Sequence, residues 1–189
     1  IDACPTGAIV APYVIDNSRC ISHLTIENRG PIPRELRPQM LDWVFGCDIC
    51  QDVCPVNRKA LPSREPAFSE QARGSLELVD LLEMTEEDFR DRFRGSPILR
   101  AKRTGLQRNA CVALGNLRDP ATVPALSRAL LREAPLVRGH AAWALGRIGT
   151  AEARIALESA RRLESEGEVL EEISAAIAES AAGATVLKI

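Results

Sequence analysis

The stretch Leu106-Gln-Arg-Asn-Ala-Cys-Val-Ala-Leu-Gly-Asn-Leu117 returns 31 positions later as Val137-Arg-Gly-His-Ala-Ala-Trp-Ala-Leu-Gly-Arg-Ile148. Under that shift Leu106, Ala110, Ala113, Leu114, Gly115 and Leu117 fall on Val137, Ala141, Ala144, Leu145, Gly146 and Ile148. Further along, Ala125, Leu126 and Ala129 fall on Ala156, Leu157 and Ala160. Apolar-for-apolar and Gly-for-Gly matches at one period mark a duplicated helix pair. The first pair breaks at Asp119-Pro120, where Asp can N-cap the next helix and Pro suits its first position. The second breaks at Gly149-Thr150, with Gly just past a helix end and Thr as the next cap. A third helical stretch near 168–182 would close the stack, its glutamates keeping that end soluble.

Two-helix units of this length, with Ala and Gly where helices approach, predict short HEAT-like repeats, whose usual work is to present a surface. Outward from them the composition changes. Residues 1–100 hold nine of the twelve Pro and five of the six Cys but only six Ala, whereas residues 101–189 hold twenty Ala. Proline breaks regular elements and alanine favours helix, so the first part should be loop-rich and the second helical. Across all 189 residues, 46% are hydrophobic and 26% charged, with a formal net charge of -2. That balance excludes a disordered chain and fits one or two folded domains. No apolar run approaches the roughly 20 residues that span a bilayer, so no membrane association is expected. The opening Ile1-Asp-Ala-Cys-Pro5, with neither Met nor a signal pattern, reads as part of something longer.

A loop-rich segment ending near Cys54 is too small to hold itself by a core alone, and pieces of this size use disulfides or metals. Its cysteines run Cys4-Pro5, Cys20, Cys47-x2-Cys50-x3-Cys54-Pro55. An odd number argues against a closed disulfide set. Cys47-x2-Cys50 is also a zinc half-site that Cys4 and Cys20 could complete, though zinc leaves Cys54 without a role. The bacterial ferredoxin run C-x2-C-x2-C-x3-C-P explains more, because its last cysteine crosses to the other cluster. Under that rule Cys4 joins Cys20, Cys47 and Cys50 around one [4Fe-4S] cluster, and Cys54 reaches a second whose other ligands lie upstream. Gly7 and Gly46 sit beside ligand cysteines, where a missing Cβ lets backbone approach a cluster. Thiolate clusters imply a reducing compartment, so a cytoplasmic location is expected.

Charge is unevenly placed. Between Arg90 and Arg108 seven basic residues stand against one acid, Asp91, while residues 152–180 carry eight Glu against three Arg. A basic stretch beside a surface-presenting repeat predicts phosphate-backbone binding, with Arg100, Lys102, Arg103 and Arg108 as candidates. Arg138 and His140 open the second unit, His140 being expected on the surface. Cys111 and Trp143 read as core. Thr85-x-x-Asp88 fits a capped helix start ahead of Phe89 and Phe93. Asp48 can cap its own loop by an Asx hydrogen bond or face a cofactor, and His23 reads as structural. No Ser/His/Asp triad, P-loop or GxGxxG occurs.

The runs Cys20-Ile-Ser-His-Leu-Thr-Ile-Glu-Asn-Arg-Gly30, Trp43-Val-Phe-Gly-Cys-Asp-Ile-Cys-Gln-Asp-Val-Cys-Pro-Val-Asn57, Ser96-Pro-Ile-Leu-Arg-Ala-Lys-Arg103 and Arg108-Asn-Ala-Cys-Val-Ala-Leu-Gly-Asn116 closely resemble the epoxyqueuosine reductases. The resemblance extends to about residue 180; Val56 departs from it, standing where many relatives have Trp. It implies the C-terminal part of a cobalamin-dependent enzyme that reduces epoxyqueuosine to queuosine in tRNA, using two [4Fe-4S] clusters. It implies Cys4, Cys20, Cys47 and Cys50 as ligands of the cluster nearer cobalamin and Cys54 as the crossover ligand. Ser22, Cys47 and Asp48 would lie near cobalamin, and Arg29, Arg100 and Arg103 would meet tRNA. The partners expected are that tRNA and an electron donor protein or reductant, with the protein a monomer. Because the family's N-terminal half is absent, this chain holds no catalytic residue and alone should be inactive. The competing readings are a reductase of the reductive dehalogenase type and a zinc-stapled HEAT-like scaffold without catalysis. The expected architecture is mainly α. A ferredoxin-like iron–sulfur segment spans 1–57, a helical connector 58–96, HEAT-like repeats 97–182 and a tail 183–189.

Overall fold

The computed structural model describes residues 1–61, 63–65 and 77–185. The duplicated helices are α5 (Lys102–Leu117) with α6 (Val123–Arg132), and α7 (Pro135–Ile148) with α8 (Ala151–Arg161). The long α9 (Gly167–Thr185) follows. The first helices form one layer, α7 lying between α5 and α9, and α6 and α8 form the second. Being flanked on both sides explains why α5 and α7 are buried nearly all round, Gln107, Arg108, Asn109 and His140 included, while α6 keeps an exposed polar face. Trp143 is core between repeats, as is Cys111, whose thiol burial pushes up.

The two repeat-related glycines do the same job. A Cβ on Gly115 would lie 2.6 Å from the Trp143 ring and 2.9 Å from the Ala144 backbone. One on Gly146 would lie 2.7 Å from Ala176 Cβ and 2.9 Å from its Cα. The period therefore encodes two close backbone approaches, α5 on α7 and α7 on α9.

The caps follow the sequence signals. Asp119 accepts from Ala121 N at 2.9 Å, opening a 3-10 turn at Pro120–Thr122 that feeds α6. Thr150 accepts from Ala153 N at 3.2 Å, after Gly149 in the left-handed region. Before the repeats come α3 (Leu78–Glu83) and α4 (Glu86–Arg92), the latter starting on a full Thr85–Asp88 capping box. Phe89 and Phe93 stack edge-to-face at 5.3 Å. Leu81 and Leu82 are buried where α3 packs against α5 and α6. Residues 62 and 66–76 of the expected connector at 58–96, and the end of the expected tail beyond Thr185, lie outside the described residues.

Ahead of these elements the chain is mostly loop, with a short antiparallel hairpin of β1 (Ile9–Ala11) and β2 (Val14–Ile15), then α1 (Ile21–Ile26) and α2 (Ile49–Asp52). This segment shares the core of the stack through Ile21, Leu24, Ile32, Leu36 and Met40. Polar side chains lock it there. Arg37, 1% exposed, donates to Ile32 O at 2.8 Å and to both Glu172 oxygens, at 2.6 and 3.0 Å, and lies over Trp143. Arg34 also pairs with Glu172 and with Glu179. The glutamate face of α9, expected to serve solubility, is thus partly an internal docking face.

His140 is likewise corrected. It is 2% exposed, takes Ile32 N on Nε2 at 3.1 Å and sets Nδ1 against Leu136 O at 2.7 Å. Burial and the nearby Arg37 hold it neutral, well below the ordinary imidazole range. It cannot meet a phosphate.

The second repeat is tied to the turn after α8 by Arg138, which donates to Glu164 at 2.7 and 2.8 Å. That hydrogen-bonded pairing lowers the Glu164 carboxyl from 4.5 to about 2. The contribution is present above the unfolded value and is lost as pH falls through the folded one. Acid titration followed by circular dichroism should show destabilisation between about pH 4.5 and 2, and Glu164→Gln should flatten it.

Candidate functional site

Four of the five N-terminal cysteines come together. Cys4, Cys20, Cys47 and Cys50 line one small cavity of about 50 Å3, walled by Ala8, Ile9, Ile15, Ile21 and Ile49. Three separate stretches supply them. Cys4 lies on the turn before β1, Cys20 immediately precedes α1, and Cys47 and Cys50 flank the start of α2. All are free thiols. Gly7 and Gly46 both need a left-handed backbone, at φ +61 and +78. At Gly46 the left-handed backbone calls for glycine, and an added Cβ would meet no other protein atom within 4 Å.

The site is prepared for thiolates unevenly. Partial burial opposes charge on Cys4, but the Thr6 hydroxyl and the amides of Ala8, Thr6 and Ile9 outweigh it and lower its pKa. Ala8 N donates to Cys4 Sγ at 3.3 Å, and the Thr6 hydroxyl lies 3.6 Å from the same sulfur. Burial raises the Cys47 thiol against an Ile49 amide, and Cys50, Cys20 and Cys4 add repulsion, so the four thiols sense one another. A bound cation core would relieve that repulsion. Among the described residues, no three His, Cys, Asp or Glu side chains are close enough to grip a single ion. The four cysteines border one shared space, the arrangement a thiolate-held cluster would need. Cys54 is half-buried and outside the cavity lining.

Ser22 is half-buried in the first turn of α1. Asp48 is exposed and caps nothing with its side chain; its carbonyl accepts from Gln51 N and Asp52 N instead. The expected Asx bond is absent, and the carboxylate points to the surface.

The basic run is not the concentrated field its composition suggests. Arg90 pairs with Glu86, Arg94 with Asp91, Arg100 with Glu27, and Arg103 with Glu133 at 3.1 Å and Glu86 at 3.5 Å. Arg108 is not at the surface at all: it is fully buried and donates to the carbonyls of Leu24, Asn28 and Gly30. No phosphate can reach it. Lys102 and Arg29 remain exposed and, among the described residues, make no ion pair. Lys102 sits at φ +62, ψ 158, a conformation that essentially only glycine populates. Glu86, just outside the basic window, and Asp91, inside it, are helical neighbours of Arg90 and Arg94, whereas Glu27 and Glu133 reach Arg100 and Arg103 from elements distant in sequence.

Comparison with known proteins agrees with this geometry. Residues 1–57 match a family model described as a 4Fe-4S double cluster binding domain, and residues 96–178 one for HEAT repeats. The epoxyqueuosine reductase of Pseudomonas aeruginosa is 48% identical over 155 residues, covering 79% of this chain and 42% of that protein. By sequence and by fold, the chain is a relative of the epoxyqueuosine reductases. The Escherichia coli K12 reductase is 44% identical over 143 residues, covering 75% of this chain and 38% of its own. A crystal structure of epoxyqueuosine reductase with an epoxyqueuosine-modified tRNA-Tyr stem loop superposes with a TM-score of 0.88 at 34% identity. It matches 95% of this chain and 48% of that one. The chain spans less than half the length of the reductases it matches.

Proposed function

We propose that this chain is the electron-delivery and tRNA-docking portion of an epoxyqueuosine reductase, with residues 1–57 holding iron–sulfur clusters, 58–96 connecting and 97–182 presenting a docking surface. The observation that carries it is the single cavity ringed by Cys4, Cys20, Cys47 and Cys50, in a relative of enzymes named for that reaction. These four thiolates would hold one [4Fe-4S] cluster, and Cys54 would serve a second whose remaining ligands lie outside this chain. Ser22, Cys47 and the outward-pointing Asp48 would face the cobalamin. When bound, clusters and cobalamin supply the electron transfer that reduces the epoxide of epoxyqueuosine. The chain's own residues bind and orient: Thr6 and the amides near it stabilise thiolate at Cys4, and the isoleucines supply apolar walls beside the sulfurs. Arg29, Arg100, Lys102 and Arg103 would meet tRNA phosphates, the paired ones by exchanging a carboxylate for a phosphate. An external electron donor, a monomeric state and a cytoplasmic location complete the proposal, the last because thiolate clusters persist in reducing surroundings. No helix among the described residues is long and apolar enough to cross a membrane.

Anaerobic reconstitution of the full-length protein should give brown protein whose broad absorption bleaches on reduction. Stoichiometric zinc in colourless protein would overturn the reading, because zinc binds thiolates at about 2.3 Å from one point. For the docking surface, Arg29→Ala and Lys102→Ala should each weaken tRNA binding and flatten log affinity against log salt by about 0.7–0.9 per lost phosphate contact. An unchanged slope in filter binding would remove that residue from the interface.

A further inference from the structure

Arg108 is a fully buried guanidinium to which no carboxylate among the described residues is paired. Burying a charge in this way is costly unless every donor is satisfied. Each of its five N–H groups is: Nε and Nη2 share Asn109 Oδ1 at 3.0 and 2.8 Å, Nη2 also reaches Leu24 O at 2.6 Å, and Nη1 takes Asn28 O at 2.9 Å and Gly30 O at 2.7 Å. Asn109 divides its amide between Thr25 O and Val44 O, both at 2.8 Å.

The targets of this pair are specific. The last four carbonyls of a helix lack internal partners. In α1, Leu24 O goes to Arg108 and Thr25 O to Asn109, while Arg29 takes Ile26 O at 3.2 Å and the backbone of residues 27 and 28 takes His23 O. The helix is capped in trans by α5, and Cys20 is the residue at its other end. Val44 stands three residues before Cys47, and Gly46 N donates to the Thr25 hydroxyl at 3.0 Å. One residue pair, 65 to 84 positions away in sequence, therefore holds both loops that carry Cys20 and Cys47.

We propose that Arg108 and Asn109 are positioning residues for the cluster site, fixing the separation of Cys20 from Cys47 through the carbonyls of Leu24, Thr25 and Val44. This rests on the cluster reading above. The HEAT-like stack is then part of the redox centre's frame as well as a docking surface. A fork of fixed geometry does this where a flexible ammonium cannot, so lysine is not an equivalent.

The test uses full-length, anaerobically reconstituted protein. Arg108→Lys should lose its cluster to an iron chelator at least tenfold faster than wild type and change the electron paramagnetic resonance line shape of the reduced cluster. Leu126→Ala, a core substitution in α6, serves as the control for general destabilisation. Equal cluster loss in both variants, at temperatures matched to their melting points, would overturn the proposal. Should Arg108→Lys fail to fold, Asn109→Ala decides, with hydrogen exchange at Gly46 and Cys47 expected to rise about tenfold even before iron is added. Unchanged exchange there would overturn the clamp. Wild-type protein that takes up no iron and sulfide would sink the cluster reading instead, leaving the exchange result to judge the clamp alone.

Discussion

Gly105→Ala and Gly115→Ala, identical substitutions in one helix, should move stability in opposite directions. At Gly105 an added Cβ meets nothing within 4 Å. There alanine removes backbone freedom from the unfolded chain and should stabilise by about 0.4–1 kcal/mol. At Gly115 the same methyl would stand 2.6 Å from Trp143 and 2.9 Å from the backbone of Ala144. The tryptophan ring is 2% exposed and lies under Arg37 and Arg147, so it has little room to yield. Overpacking of this kind costs about 1–3 kcal/mol, more than the helix-propensity gain of roughly 1. Gly146→Val should be worse still, since backbone atoms of Ala176 face the new side chain. Urea denaturation of the three variants checks the ordering. A stabilised Gly115→Ala would mean that α5 and α7 do not approach as described.

The largest functional effect should come from Cys47→Ala in the full-length protein. Losing one thiolate of four should strip that cluster, so iron falls by about half if a second cluster remains. Cys54→Ala should remove iron from the other cluster, leaving a different paramagnetic signal. Cys111→Ala, in the helical core far from the cavity lining, should leave iron content unchanged. Iron and sulfide analysis beside electron paramagnetic resonance separates the three. Identical spectra from Cys47→Ala and Cys54→Ala would show that both thiols serve one centre.

The parts of this molecule legible in advance share a physical basis. Asp119, Thr150 and Thr85 each satisfy amides two or three residues away, so their caps are written in a few adjacent letters. Gly115 and Gly146 recur at the helical repeat because the same approach recurs. The cysteine spacing points to one centre because a cluster demands thiolates whatever fold delivers them. The hairpin of Ile9–Ala11 with Val14–Ile15 was not legible: with three and two residues, it has no run in which alternation could register. The basic stretch misled because a window sums charges in one dimension, whereas Glu27 and Glu133 reach Arg100 and Arg103 from other elements.

Sequence alone therefore determined the helix pairs and their ends, which local backbone chemistry governs, and singled out the four cysteines that line one cavity. Tertiary structure alone decided which polar residues turn inward. Arg37, Arg108, Asn109 and His140 look like surface letters, yet each is buried on groups of the cysteine-bearing segment. All four bind partners between 84 and 135 positions away. Backbone carbonyls and amides are present at every position, so no pattern of side chains can announce which of them a distant guanidinium or imidazole will find.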